Sequence, residues 1–340
     1  MRAWLMDAFN GVEQLRPAEV PDPQPSSGEL LVKVRFAALN PADAFLAQGL
    51  YPAKPPLPHV LGRDGVGDVV KVGPGVSNLH VGETVGILRC DAGVKSWGTL
   101  AEQVVVPAES VTPVPPKWSH EEMAGAPLVF LTAWQAMTQW NDPPCPPQAE
   151  SVLLVTGSSG GVGVASVLLG KSMNLTVVAL SRSAEKRERL KTLGADFVFD
   201  PNDANLVNAV KAAISPKRVG LAVDSVGGKL LPQVVAMLGR GGRVSIVGRS
   251  GGIVPEFNPA TLLFNRIRIG GVLVGDYTAQ ESQAAWKEII RRLDETGQRP
   301  QVDSIVAFED VKMGFVRLAE GPMGKVLVRI ANSRVFPHTT

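Results

Sequence analysis

The stretch SVLLVTGSSGGVG, from Ser151 to Gly163, decides the fold. Ser151–Thr156 is an unbroken, mostly apolar run, the pattern of a strand covered on both faces. It opens directly into a glycine-rich turn, and Gly160–Asn174 then carries helical spacing. Glycines at such a junction let the chain turn tightly, let backbone N–H groups approach a pyrophosphate, and let helix pack on strand. The helix N-terminus adds partial positive charge for an anion. The full G-x-G-x-x-G pattern would begin at Ser158, so only Gly160 and Gly163 keep it. A Walker A loop ending in Gly170-Lys171-Ser172 would need glycine at Ala165, which excludes a triphosphate-binding loop of that kind.

Working outward, strands and helices alternate. Thr176–Leu180, Phe197–Phe199, Gly220–Val223 and Gly242–Val247 read as strands. Ala184–Leu193, Leu206–Ile214 and Lys229–Leu238 read as helices between them. That order predicts a parallel sheet with helices on both faces, a doubly wound α/β fold that binds a dinucleotide. Beyond it, Ile267–Val274 reads as a strand, Gln280–Glu295 as an amphipathic helix and Lys325–Ile330 as a last strand. NAD-binding folds commonly carry a carboxylate about 20 residues past the glycines, to hold the ribose 2′-OH. Here that place holds Ser181-Arg182-Ser183, with Lys186 one turn further. Arginine can engage a 2′-phosphate with charge-assisted bonds, so the expected cofactor is NADPH.

The first 150 residues differ in kind. They hold 19 of the 27 prolines, and short alternating runs such as Leu30–Phe36, Gly67–Val72 and Leu100–Val106 read as strands between turns. Pro52–Pro58 and Pro143–Pro147 are too proline-dense for regular structure. The 340 residues suit about two domains. With 34 Lys and Arg against 32 Asp and Glu, no basic surplus exists to grip nucleic acid. No apolar run of about 18 residues suggests a membrane span. Arg2, Asp7 and Glu13 interrupt what a signal peptide would keep apolar, so the expected location is the cytoplasm. Two cysteines, Cys90 and Cys145, cannot form a disulfide framework or a four-thiolate zinc site.

Several separate motifs stand in a telling order: Asn40-Pro-Ala-Asp43, Gln48-Gly-Leu-Tyr51, Gly62-Arg63-Asp64, Gly82-Glu-Thr-Val85, Gly98-Thr-Leu-Ala-Glu102, Thr132-Ala-Trp134, the glycine turn, Asp224-Ser-Val-Gly-Gly228 and Gly324-Lys325. Over almost the whole chain this resembles the medium-chain dehydrogenase/reductase superfamily, and most of all its zinc-independent quinone oxidoreductase and enoyl thioester reductase branch. The resemblance implies a mostly-β GroES-like catalytic domain, residues 1–125 plus 266–340, with a Rossmann domain, residues 126–265, inserted. It also implies a homodimer joined through Ile267–Val274. For the cofactor it nominates Thr132, Gly160, Gly161, Val162, Gly163, Ser181, Arg182, Lys186, Val226, Gly248, Arg249, Leu273, Val274 and Lys325. For catalysis it nominates Tyr51 as proton donor and Asn40 as a donor to developing negative charge. Asn40 is equally readable as a turn-former ahead of Pro41, and Arg63 either faces an anionic substrate or, the favoured reading, pairs with Asp64.

Zinc alcohol dehydrogenases of that superfamily carry Gly-His-Glu where this chain has Gly62-Arg63-Asp64, and a cysteine near Ala38-Leu39-Asn40. Arginine has no lone pair for a metal. Histidines 59, 80, 120 and 338 stand singly, and no three zinc ligands assemble from the spacing. A Tyr-x-x-x-Lys pair is also absent. The expected chemistry is therefore metal-free hydride transfer to a quinone, an enone or an enoyl thioester. A dinucleotide-binding protein without turnover is the competing class, since members of this family serve as lens proteins or bind RNA. Substrate selection is expected in the loops Pro52–Pro58 and Gly251–Asn258.

Overall fold

A computed structural model describes residues 1–140, 151–253 and 258–330. The proline cluster at 143–147, Cys145, His338 and part of the expected loop 251–258 lie outside the described residues. The chain divides into two compact units. The first comprises the described residues of Met1–Leu128, Thr278–Gln283 and Val302–Thr340, the second those of Val129–Tyr277 and Ala284–Gln301.

The second unit is built on six strands, all parallel. In space they run Phe197–Phe199, Thr176–Leu180, Ser151–Val155, Arg218–Asp224, Leu238–Ile246 and Arg268–Gly271. Numbered along the chain this is the order 3-2-1-4-5-6 of a doubly wound nucleotide fold, and the order reverses between Ser151–Val155 and Arg218–Asp224. The central strands are apolar runs because helices cover them. Val152, Leu153, Leu154 and Val155 are wholly buried, as are Val177, Val178 and Ala179 beside them. Helices Gly161–Ser172, Ala184–Thr192, Leu206–Ile214 and Leu231–Met237 connect the strands.

This unit reaches further along the chain than the expected end at residue 265. Arg268–Gly271 pairs in parallel with Leu238–Ile246, Arg243 opposite Arg268, so it is the sixth strand of the sheet. Most of the 18-residue helix Ala279–Thr296 belongs to this unit as well.

The first unit is mostly β. One sheet of seven strands runs Val302–Ala307, Lys325–Arg329, Glu29–Ala38, Asp64–Val72, Thr84–Ile87 and Val111–Pro113, with Gln103–Pro107 also pairing Glu29–Ala38. A second sheet has Arg2–Met6 between Arg16–Glu19 and His59–Val60. Alternation along Glu29–Ala38 sends Leu30, Val32 and Val34 into one core with Trp4, Leu100 and Phe315. Chain ends meet here: the Trp4 indole N–H donates to the Phe308 carbonyl at 2.7 Å. No helix among the described residues is long and apolar enough to cross a membrane.

Candidate active site

In the second unit the nominated dinucleotide residues cluster at the carboxyl ends of strands. The glycine turn follows Ser151–Val155, Ser181 and Arg182 follow Thr176–Leu180, Val226 follows Arg218–Asp224, Gly248 and Arg249 follow Leu238–Ile246, and Leu273 and Val274 follow Arg268–Gly271. Thr132 lies on the helix Pro127–Thr138. At the reversal of strand order, the Thr156 hydroxyl donates to buried Asp224 at 2.5 Å. The same carboxylate accepts the backbone N–H of Val226 and Gly227 at 3.0 and 3.1 Å. Asp224 therefore braces the two strand ends rather than offering itself to a ligand.

Gly160 caps the helix Gly161–Ser172, whose first-turn N–H groups have no intrahelical partner and point along the dipole toward an anion. Gly163 has to be glycine. A Cβ there would lie 2.3 Å from the Gly157 carbonyl oxygen and 2.5 Å from the Ser158 Cα. Ser158, which stands where the motif's first glycine would be, is wholly buried and stitches two strands. Its hydroxyl donates to the Val155 carbonyl at 2.7 Å and accepts the Leu180 N–H at 2.9 Å. The basic residues that follow divide their labour. Arg187 donates to the Ser181 carbonyl at 2.7 Å and to Asp200 at 3.1 Å, fixing the turn. Arg182 is exposed, and its guanidinium binds no described residue.

The first unit links Asn40, Lys325 and half-buried Tyr51 through one network of hydrogen bonds. The strand register accounts for it. Ala38 stands opposite both Asp64 and Leu327, and Leu39 N–H donates to the Val326 carbonyl. Two residues further along antiparallel strands, Lys325 meets Asn40. The Lys325 ammonium donates to Asn40 Oδ1 at 2.6 Å and to Asp64 Oδ2 at 3.1 Å. Asn40 Nδ2 donates to Asp64 Oδ2 at 3.0 Å and to the Ala38 carbonyl at 3.3 Å. Both amide hydrogens of Asn40 are thus occupied, so in this geometry it orients Lys325 and offers no donor to a substrate. The other Asp64 oxygen accepts the Leu128 N–H at 3.1 Å.

A second arm starts from Asp43, in the first turn of the helix Pro41–Ala47. It accepts the Asn40 backbone N–H at 2.9 Å and Arg63 Nε at 3.2 Å. Arg63 Nη1 donates to the Tyr51 hydroxyl at 3.1 Å, and the guanidinium carbon stands 4.5 Å from the tyrosine ring centroid. Gly62, at φ +100°, makes the turn that delivers Arg63, and a side chain there would collide with Thr99. Burial pushes the Asp43 carboxyl above the usual carboxylate range, with Arg63 and the Asn40 N–H pulling the other way. The expected Arg63–Asp64 ion pair does not form: Arg63 binds Asp43, and Asp64 binds Lys325.

Comparison with known proteins agrees with both halves. Residues 161–295 match the family model described as zinc-binding dehydrogenase, and residues 26–116 the alcohol dehydrogenase GroES-like domain. A quinone oxidoreductase of Mus musculus is 30% identical over 286 residues, 83% of each chain. The crystal structure of an NAD-dependent alcohol dehydrogenase superposes with a TM-score of 0.89 at 31% identity, covering 97% of this chain and all of that one. A mycobacterial protein solved in complex with NADPH superposes at 0.85 with 26% identity, over 97% of this chain and all of its own. The glycine cradle fits a nicotinamide dinucleotide. Asp43 and Asp64 are each tied to a buried cation, and no three His, Cys, Asp or Glu side chains converge among the described residues.

Proposed function

Since the chain belongs to the medium-chain dehydrogenase/reductase superfamily, in its quinone oxidoreductase branch, we propose that it is an NADPH-dependent, metal-free reductase of quinones and related α,β-unsaturated carbonyls. The observation that carries this reading is the charge pairing of the first unit. Both buried carboxylates are held by cations, so the hydrogens left over belong to donors, among them the Tyr51 hydroxyl and the third N–H of Lys325. A donor-rich site suits a reaction in which negative charge grows on a substrate oxygen.

The reduced nicotinamide, when bound, supplies a hydride. The chain's residues do the rest. The glycine turn and the helix Gly161–Ser172 bind the pyrophosphate, and Arg182 with Lys186 binds the 2′-phosphate. Tyr51 gives its proton to the oxygen of the reduced acceptor, and Lys325, held by Asn40 and Asp64, adds a hydrogen bond. The substrate gains one hydride and one proton: a quinone becomes the hydroquinone, and an unsaturated carbonyl becomes an enol that returns to the saturated carbonyl. The edge strand Arg268–Gly271, with half-exposed Ile269 on it, supports a homodimer.

Following NADPH oxidation with 1,4-benzoquinone and with a crotonyl thioester, beside calorimetric titration with NADPH and NADH, tests the reading. Quinone-dependent turnover that survives chelation, with NADPH bound at least tenfold tighter, is expected. Tighter NADH binding overturns the Arg182 assignment, and activity that requires stoichiometric zinc overturns the chemistry. Faster turnover of the thioester moves the protein to enoyl reduction. Tight NADPH binding with no acceptor reduced makes it a binding protein.

A further inference from the structure

Arg63 is buried, yet it does more than neutralise Asp43. Its Nε satisfies the carboxylate, its Nη1 donates to the Tyr51 hydroxyl at 3.1 Å, and its guanidinium carbon stands 4.5 Å from the tyrosine ring centroid. Its Nη2 is buried without a partner. A side chain kept only for an ion pair has no reason to leave a donor idle in the interior, where each unpaired polar group is a cost.

We propose that Arg63, anchored on Asp43, is a positioning residue for Tyr51, setting the direction in which the phenol hydrogen is offered. The argument is one of hydrogen-bond polarity. A guanidinium has only donors, so in this contact Tyr51 must accept. Its single hydrogen is then turned away from Arg63, and no described residue takes it. The guanidinium packs against the ring, its carbon 4.5 Å from the centroid, while Nη1 holds the oxygen, so both the body and the tip of the side chain are held. A free phenol would rotate its O–H among several orientations. This one is biased toward an outside acceptor before substrate arrives, which is preorganisation. The chain of support runs from the Asn40 backbone to Asp43, then Arg63, then Tyr51. Lysine does not replace arginine here, because an ammonium lacks the plane and the fork.

This inference rests on the reading of Tyr51 as proton donor, and a double-mutant cycle separates the two. Arg63→Lys and Arg63→Gln are each combined with Tyr51→Phe, and steady-state kinetics are measured with NADPH and 1,4-benzoquinone. Either Arg63 variant that folds carries the test, with folding checked by circular dichroism. The expected result is a kcat about tenfold below wild type, a quinone KM within about twofold, and an unchanged Kd for NADPH. In the Tyr51→Phe background the same Arg63 changes are expected to lower kcat by less than twofold, because their target is gone. Equal losses in both backgrounds, or wild-type kcat in Arg63→Lys beside a crippled Tyr51→Phe, overturn the positioning role and leave the tyrosine reading standing. Full kcat in Tyr51→Phe overturns the tyrosine reading and the inference with it.

Discussion

Ser158 replaces a glycine of the dinucleotide motif, and its hydroxyl turns that departure into a fastener between two strands. Ser158→Ala leaves the Leu180 N–H and the Val155 carbonyl without that partner. A loss of about 1–3 kcal/mol in denaturant unfolding is expected, whereas a serine at the surface would cost almost nothing. Cys90 makes a second case at this scale. Burial pushes its thiol up to about 11, and the thiolate is the species that reacts. In a Cys145→Ser background, iodoacetamide labelling at pH 8 is expected to be about a hundredfold slower than for a thiol of ordinary pKa. The rate should climb tenfold per pH unit until about pH 11 instead of levelling two units earlier. The residues most hidden from sequence reading were partners. Arg63 and Asp64 are neighbours in the chain, but Asp64 starts a strand, where successive side chains face opposite ways. Each therefore finds its counterion elsewhere: Asp43 for Arg63, and Lys325, 261 residues away, for Asp64.

Elements were legible where burial wrote a clear pattern. The parallel strands from Ser151 to Val247 stand out because both faces are covered and nearly every side chain is apolar. Short or half-exposed elements left no such mark. The strand Val302–Ala307 mixes half-buried and exposed positions without alternation, and the helix Val311–Ala319 follows it without a proline or glycine stop between them. Neither was anticipated. The glycine turn gives this scale its sharpest test, because two of its glycines serve different ends. A methyl at Gly163 meets backbone at 2.3 Å, so Gly163→Ala is expected to lower stability by about 1–3 kcal/mol. A methyl at Gly160 finds only the Gly157 oxygen at 3.4 Å, and the backbone there, at φ −74°, suits alanine. Gly160→Ala should therefore unfold within about 0.5 kcal/mol of wild type. If the turn receives the pyrophosphate as proposed, the variant should nevertheless bind NADPH about tenfold more weakly. Thermal melts and calorimetry on the two variants separate packing from recognition.

For the molecule as a whole, the family frame was legible in the order of short motifs, while the extent of the dinucleotide unit was not. A strand was expected at Ile267–Val274, and its pairing, Arg268–Gly271 against Leu238–Ile246, carries the unit past the boundary expected at residue 265. That strand is also a free edge, flanked by Leu263 and Phe264, which are 71% and 72% exposed. An edge strand preceded in the chain by exposed apolar side chains is an invitation to association. Light scattering is expected to give twice 36.0 kDa, and Phe264→Glu is expected to shift that mass toward 36.0 kDa. A wild-type mass of 36.0 kDa would remove the dimer. The union of chain ends in the first unit has a different consequence, one that belongs to the ribosome. Asn40 and Lys325 lie 285 residues apart, which at about 5–20 residues per second is roughly 15–60 s of translation. Until the last strand emerges, Asp64 has no ammonium beside it and the strand Glu29–Ala38 lacks one neighbour. A nascent chain thus completes the second unit, whose last residues are Ala284–Gln301, before the first unit receives Lys325–Arg329, so a message cut between the two leaves the Asp64 carboxylate without its cation.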